Sequence, residues 1–121
     1  MIRFECDYAE GAHPKVLEAL VKTNFEQSPG YGADSPCAHA QELIREACED
    51  PLANVYFVTG GAPANVTVIA SLLRPYQGCV CCKSGHINVH EAGAVEATGH
   101  KVIGLEGKDG KLSAETLRNY L

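Results

Sequence analysis

Residues 55–73 read VYFVTGGAPANVTVIASLL, two different patterns in succession. The first five residues are β-branched or aromatic, which predicts a buried strand over residues 55–59. Gly60 and Gly61 then predict a tight turn, and Pro63 fits the first turn of a following helix, where a missing N–H leaves no bond unmade. The apolar periodicity that follows predicts a helix. The stretch therefore predicts a strand, a glycine turn and a helix.

The turn formed by Gly60, Gly61 and Ala62 is a candidate anion site. The first N–H groups of a helix have no intrahelical partner, and the positive end of the helix dipole lies at the same place, so a phosphate or carboxylate could bind there. The turn matches neither a dinucleotide fingerprint nor a P-loop, since no Gly-Lys-Ser/Thr follows. A purely structural turn of this kind is common in α/β domains, so both interpretations stay open.

Periodicity, caps and turn residues predict the remaining elements. Before residue 55 we predict an extended segment at residues 2–7, a helix opened by Pro14 that buries Val16, Leu17, Leu20 and Val21, and a helix from about Pro36 to before Pro51 that is capped by Ser35. After residue 73 we predict buried strands at 78–82 and 101–105, a loop at 83–89, a short helix at 90–98 stopped by Gly99, a turn at 107–110 and a last helix capped by Ser113.

The alternation of strands and helices predicts an α/β fold. Such chains form right-handed crossovers and a mostly parallel sheet covered on both faces, which is a three-layer sandwich. We expect one domain over residues 1–121, with helices and a loop in 1–50 and a βαβαβα core in 51–121. Ligands bind such sheets at the carboxyl ends of the strands, where the loops 59–62 and 83–89 are expected.

Composition excludes several function classes. The chain has 121 residues, 45% of them hydrophobic, and a formal net charge of −5. With no run of Lys or Arg, neither nucleic acid nor an anionic membrane is expected as a partner. There is no long apolar stretch for a membrane span and no signal-peptide pattern, so we predict a cytoplasmic protein.

Six cysteines allow three interpretations: a disulfide framework, a metal or redox site, or reduced thiols that fill the core. Cys79, Cys81 and Cys82 lie near His86 and His90. Side chains alternate along a strand, so adjacent Cys81 and Cys82 would point to opposite faces. We therefore predict reduced thiols and no metal site, with a zinc or redox site as the alternative.

His86 is the second candidate ligand-binding residue. It follows the predicted strand 78–82 and falls on the same sheet edge as the glycine turn. An imidazole there could stack on a ligand or hydrogen-bond to it, or it could simply cap the loop.

Six short pieces, in this order and spacing, together resemble one family. They are FECDY at 4–8, GAHP at 11–14, GYGAD at 30–34, VYFVTGGAPAN at 55–65, GHINVHEAGA at 85–94 and DGKL at 109–112. The chain resembles the low-specificity threonine aldolases, within the β-eliminating lyase group of pyridoxal-phosphate enzymes of the aspartate aminotransferase fold (fold type I). The resemblance covers essentially the whole chain.

The resemblance implies a cofactor, a substrate and roles for particular residues. The cofactor is pyridoxal 5′-phosphate, and the reaction cleaves threonine-like β-hydroxy amino acids to glycine and an aldehyde. The implied roles are cofactor-phosphate binding by Gly60, Gly61 and Ala62, ring stacking and catalytic proton handling by His86, and substrate binding by Cys6 and Tyr31. Glu91 matches a recurring glutamate to which we assign no role. An incomplete parallel sheet would leave open edges, so we expect a homo-oligomer.

The chain departs from the family pattern in two respects. Ala62 stands where the family usually has threonine, which removes one hydroxyl contact to the phosphate, worth about 1 kcal/mol. The family's cofactor lysine, ring-nitrogen aspartate and substrate arginine come from a later part of the chain, and no lysine here matches. We therefore expect an amino-terminal portion of the large domain, with weak or absent cofactor binding and no complete reaction. A non-catalytic α/β assembly module is the alternative from a different class.

Overall fold

A computed structural model describes residues 5, 6 and 8–121. The chain divides into two compact units, and the boundary between them in the sequence lies between Val55 and Tyr56. The extended segment predicted at residues 2–7 lies outside the described residues, apart from residues 5 and 6. Among the residues described, no helix combines the length and the apolar character needed to span a bilayer.

The first unit contains two helices, α1 (Pro14–Thr23) and α2 (Ser35–Ala47). Both are confirmed as elements, but two details of the prediction are wrong. The N-cap of α2 is Asp34, whose carboxylate accepts a hydrogen bond from the Cys37 N–H at 2.7 Å, because Ser35 is already helical. The apolar stripe of α1 is not buried: Leu17 and Val21 are 50% and 75% exposed.

The strand predicted at residues 55–59 is absent. Residues 53–58 form no ladder, and Tyr56 is 83% exposed. β propensity alone does not form a strand, because the backbone must exchange hydrogen bonds with a neighbouring strand. The two strands assigned in the described residues pair with each other. The helix that follows is confirmed as α3 (Gly61–Leu72), with Leu73 as its C-cap.

Two parallel strands form the sheet of the second unit. β1 (Gly78–Cys82) pairs with a second parallel strand, from Gly78 opposite Lys101 to Cys82 opposite Leu105. A short helix, α4 (His86–Val89), and a 3₁₀ turn (Glu96–Thr98) connect β1 to its partner, β2 (Lys101–Leu105). The pairing confirms the two predicted strands, the α/β class and the parallel arrangement.

The connection between the strands differs from the predicted loop at 83–89 and helix at 90–98. The helical turn comes earlier, at α4, and Ala92 (φ 48°) and Gly93 (φ 75°) are left-handed, so no helix continues through them. Gly99 does end the 3₁₀ turn in the left-handed conformation, as predicted.

The last elements follow the prediction. Asp109 and Gly110 form the turn with φ values of 53° and 73°. Ser113 then caps α5 (Ala114–Tyr120), where its hydroxyl accepts a hydrogen bond from the Thr116 N–H at 2.9 Å. Among the described residues, the buried apolar side chains are Val95 and Val102, so the core of this unit lies beside β2.

Candidate functional site

The glycine turn leaves the first turn of α3 open. Gly60 is the N-cap and has no side chain to accept a hydrogen bond from the helix. A Cβ added at Gly61 would meet nothing within 4 Å, so the space beside this residue is free. The N–H groups of Gly61 and Ala62 therefore stand next to room for an anion, which is the arrangement that phosphate sites at helix N-termini use.

Glu91 joins α3 to His86. Its side chain is 0% exposed, and its Oε1 accepts a hydrogen bond from Asn65 Nδ2 at 2.7 Å. The same Oε1 lies 2.7 Å from His86 Nδ1. Asn65 is four residues beyond Gly61 on α3, so one carboxylate oxygen holds the helix of the glycine turn and the imidazole together.

The hydrogen bonds of the Glu91 carboxyl group favour its charged form. The hydrogen bond from Asn65, followed by the hydrogen bond and charge of His86, lowers its pKa against the opposing effect of burial. Its second oxygen, Oε2, is buried and has no partner among the described residues. An ionised carboxylate only accepts hydrogen bonds, so the proton between Glu91 and His86 belongs to His86 Nδ1.

His86 is positioned by a close backbone contact at the end of β1. Gly85 donates its N–H to the Cys82 carbonyl at 2.7 Å, and a Cβ on Gly85 would lie only 2.8 Å from that oxygen. Only glycine therefore fits before His86. The imidazole remains 64% exposed, with the His90 ring 5.4 Å away and tilted by 50°. One side of His86 is held by Glu91, and the rest is accessible to a ligand.

Cys6 and Tyr31, predicted from the family resemblance to bind substrate, lie in the first unit. Cys6 is half-buried. Tyr31 has a φ of 62° between two glycines, and its ring is fully exposed, as expected of a side chain that projects from a loop. Their roles stay predictions.

Two site residues were missed or left without a role by the sequence reasoning. Asn65 was quoted only as the last residue of the stretch 55–65, and Glu91 only as a recurring glutamate. The available signal was weak: a carboxylate directly before the small residues Ala92, Gly93 and Ala94 can be buried where a longer neighbour would block it.

The cysteines are all free thiols. Within residues 5, 6 and 8–121, no group of three or more His, Cys, Asp or Glu side chains is arranged to hold a metal ion. Burial raises the pKa of Cys81, whereas a hydrogen bond with Ser84, 3.5 Å away, lowers the pKa of Cys82. Cys82 lines a shallow cavity beside the ion pair of Lys83 and Glu106, whose charged atoms are 2.6 Å apart.

Comparison with known proteins gives consistent matches. The family model described as "Beta-eliminating lyase" matches residues 5–121. The low specificity L-threonine aldolase of a Pseudomonas species is 29% identical over 118 residues, which are 96% of this chain and 34% of that protein. The enzyme of the same name from Pseudomonas aeruginosa is 28% identical over 119 residues, 97% of this chain and 34% of that protein.

A solved structure shows the same similarity in three dimensions. The Leishmania major threonine aldolase superposes with a TM-score of 0.90 at 43% identity, covering 93% of this chain and 33% of that chain. The chain thus spans about a third of the length of the relatives that it matches.

Proposed function

The chain belongs to the β-eliminating lyase family, and we propose that it supplies the phosphate-binding turn and the stacking histidine of a pyridoxal-phosphate-dependent aldolase. The substrates would be threonine-like β-hydroxy amino acids, cleaved to glycine and an aldehyde. The observation that carries the proposal is the Glu91 Oε1 atom, which joins the α3 helix to His86 through two contacts of 2.7 Å.

The residues of the second unit fit this cofactor. The uncapped start of α3 and the free space at Gly61 suit a phosphate, and the exposed imidazole suits an aromatic ring. Gly60, Gly61 and Ala62 would hold the phosphate through backbone N–H groups alone, because Ala62 adds no hydroxyl. Pyridoxal phosphate, when bound, withdraws electrons from Cα of the amino acid.

The chain's own residues would bind, orient and move a proton. His86 would lie against the cofactor ring and accept the β-hydroxyl proton at Nε2. Cys6 and Tyr31 would contact the substrate, as the family resemblance implies. No lysine of this chain matches the family's cofactor lysine, so we expect reversible and weak binding of pyridoxal phosphate to this chain by itself.

The turn can be tested by removing a single N–H donor. Gly61 is the first residue of α3, where proline fits the helix, and the extended conformation of Gly60 suits a residue before proline. Gly61→Pro should weaken binding of pyridoxal phosphate about tenfold, because it deletes one hydrogen bond to a charged group worth about 1.5 kcal/mol. Equilibrium dialysis measures the dissociation constant.

The matched control is Gly61→Ala, which keeps the N–H and places a methyl group in free space. It should bind more tightly than Gly61→Pro, because both variants carry a Cβ beside the phosphate and only proline lacks the N–H. Equal affinities of the proline and alanine variants, or no binding by the parent at millimolar cofactor, would contradict the proposed phosphate site.

A further inference from the structure

Glu91 is a buried acid, and packing alone does not explain why a carboxylate occupies this position. Its side chain is fully enclosed, Oε1 serves two partners, and Oε2 has none among the described residues. Burying a carboxylate oxygen without a hydrogen-bond partner costs free energy. An apolar side chain would fill the same space without that desolvation penalty. A buried charge with an idle oxygen suggests a role beyond packing.

The partners of Oε1 settle the position of one proton. Asn65 contributes its Nδ2 amide nitrogen, which can only donate. His86 contributes Nδ1, and since the carboxylate is ionised, Nδ1 carries the hydrogen. In the neutral imidazole the other nitrogen, Nε2, is then left with a lone pair.

We infer that Glu91 is a positioning residue that holds His86 in the Nδ1–H tautomer and so keeps Nε2 ready to accept a proton from the substrate. The inference rests on the proposed function for the identity of the proton donor, a β-hydroxyl group. In that transfer the O–H bond breaks, its electron pair stays on oxygen, and the proton joins the lone pair of Nε2. The hydrogen bond from Nδ1–H to Glu91 is kept throughout, so the positively charged imidazolium that forms stays beside a carboxylate.

Nuclear magnetic resonance of the chain labelled with ¹⁵N-histidine reports the tautomer directly, without cofactor or activity. The His86 signals are assigned by their loss in His86→Gln. In the parent chain at a pH where the ring is neutral, we expect the protonated nitrogen to be Nδ1. A His86 that carries its proton on Nε2 in the parent chain overturns the inference, whatever any variant does.

The decisive variant is Glu91→Leu, which removes the acceptor and fills its place with an apolar side chain. The Nδ1–H share of His86 should fall by about half or more, since no acceptor then selects that nitrogen. His100 is the internal control, because its Nδ1 lies 3.2 Å from the Gln77 carbonyl oxygen, which fixes the same tautomer independently. An unchanged His100 signal shows that the variant is folded, and an unchanged His86 signal beside it overturns the inference.

A second control separates contact from charge. Glu106→Gln removes a carboxylate of the same unit that pairs with Lys83 and does not touch His86. It should leave the His86 tautomer as it is, and an effect equal to that of Glu91→Leu would overturn the inference. The dialysis experiment at Gly61 is independent of the tautomer, so failure of the proposed function and failure of this inference are distinguishable.

Discussion

The two units of the molecule differ in what they bury. In the first unit, the apolar stripe of α1 is open to solvent, with Leu17 50% exposed and no buried residue in the helix. In the second unit, the acid Glu91 is enclosed together with Val95 and Val102. Hydrophobic periodicity predicts which face of a helix is stabilised by burial, but it does not predict which element covers that face. Burial of a polar group follows instead from partners that are brought together by folding.

The largest expected effect on stability comes from placing an aspartate at an apolar position of each unit and comparing the two variants. Val95→Asp places an unpaired carboxylate at a fully buried position, and we expect it to lower the free energy of unfolding by about 3 kcal/mol or more. Leu17→Asp makes the same change on the exposed α1 stripe and should shift it by about 0.5 kcal/mol at most. Urea titrations followed by circular dichroism measure both.

Sedimentation velocity of Leu17→Asp sharpens the same comparison. If copies of the chain associate through the α1 stripe, the charge should reduce their sedimentation coefficient while the fold persists. A Leu17→Asp variant that unfolds as readily as Val95→Asp would show that the stripe belongs to the core, against the contrast drawn between the units.

An intermediate effect on stability is expected at Gly85, the residue before His86. Gly85→Ala would bring a methyl group to 2.8 Å from the Cys82 carbonyl oxygen, so the backbone must shift, at a cost of about 1–3 kcal/mol. The same change at Gly61 meets free space and should be neutral or slightly stabilising. Thermal unfolding compares the two, and a similar melting temperature for both variants would mean that the contact at Gly85 relaxes without cost.

The smallest effect is expected at the N-cap of α2. The hydrogen bonds from Cys37 lower the pKa of Asp34, so its stabilising contribution is present above the unfolded-state pKa and is lost as pH falls through the folded-state pKa. Helical circular dichroism of the chain should therefore decline slightly on acidification. Asp34→Asn keeps the acceptor but cannot titrate, and its signal should be flatter with pH; an identical slope would exclude Asp34 as the source.

Local chemistry was predictable where a residue acts on its own backbone. Ser113, Gly99 and the turn at Asp109 and Gly110 behave as predicted because caps and left-handed positions depend on a few adjacent residues. The strands β1 and β2 were predictable from continuous apolar runs. The cap of α2 was misplaced by one residue because Asp34 and Ser35 are both good caps.

The remainder depends on partners that are distant in the chain. Residues 55–59 have the composition of a strand, but composition does not provide the neighbouring strand that makes one. Ala92 adopts a left-handed conformation against its own preference, which no local rule predicts. Glu91 and Asn65 are 26 positions apart, and an acid is ordinarily assigned to the surface, so the hydrogen bonds of Glu91 to Asn65 and His86 could not be predicted from the sequence.

A single oxygen atom shared by two elements has a mechanical consequence. Asn65 on α3 and the ring of His86 can separate only as far as their two contacts of 2.7 Å to the same Glu91 atom allow. Hydrogen bonds tolerate only about 0.3 Å of stretching before they weaken. The distance between α3 and the imidazole is therefore limited by contacts within the chain, before any ligand binds.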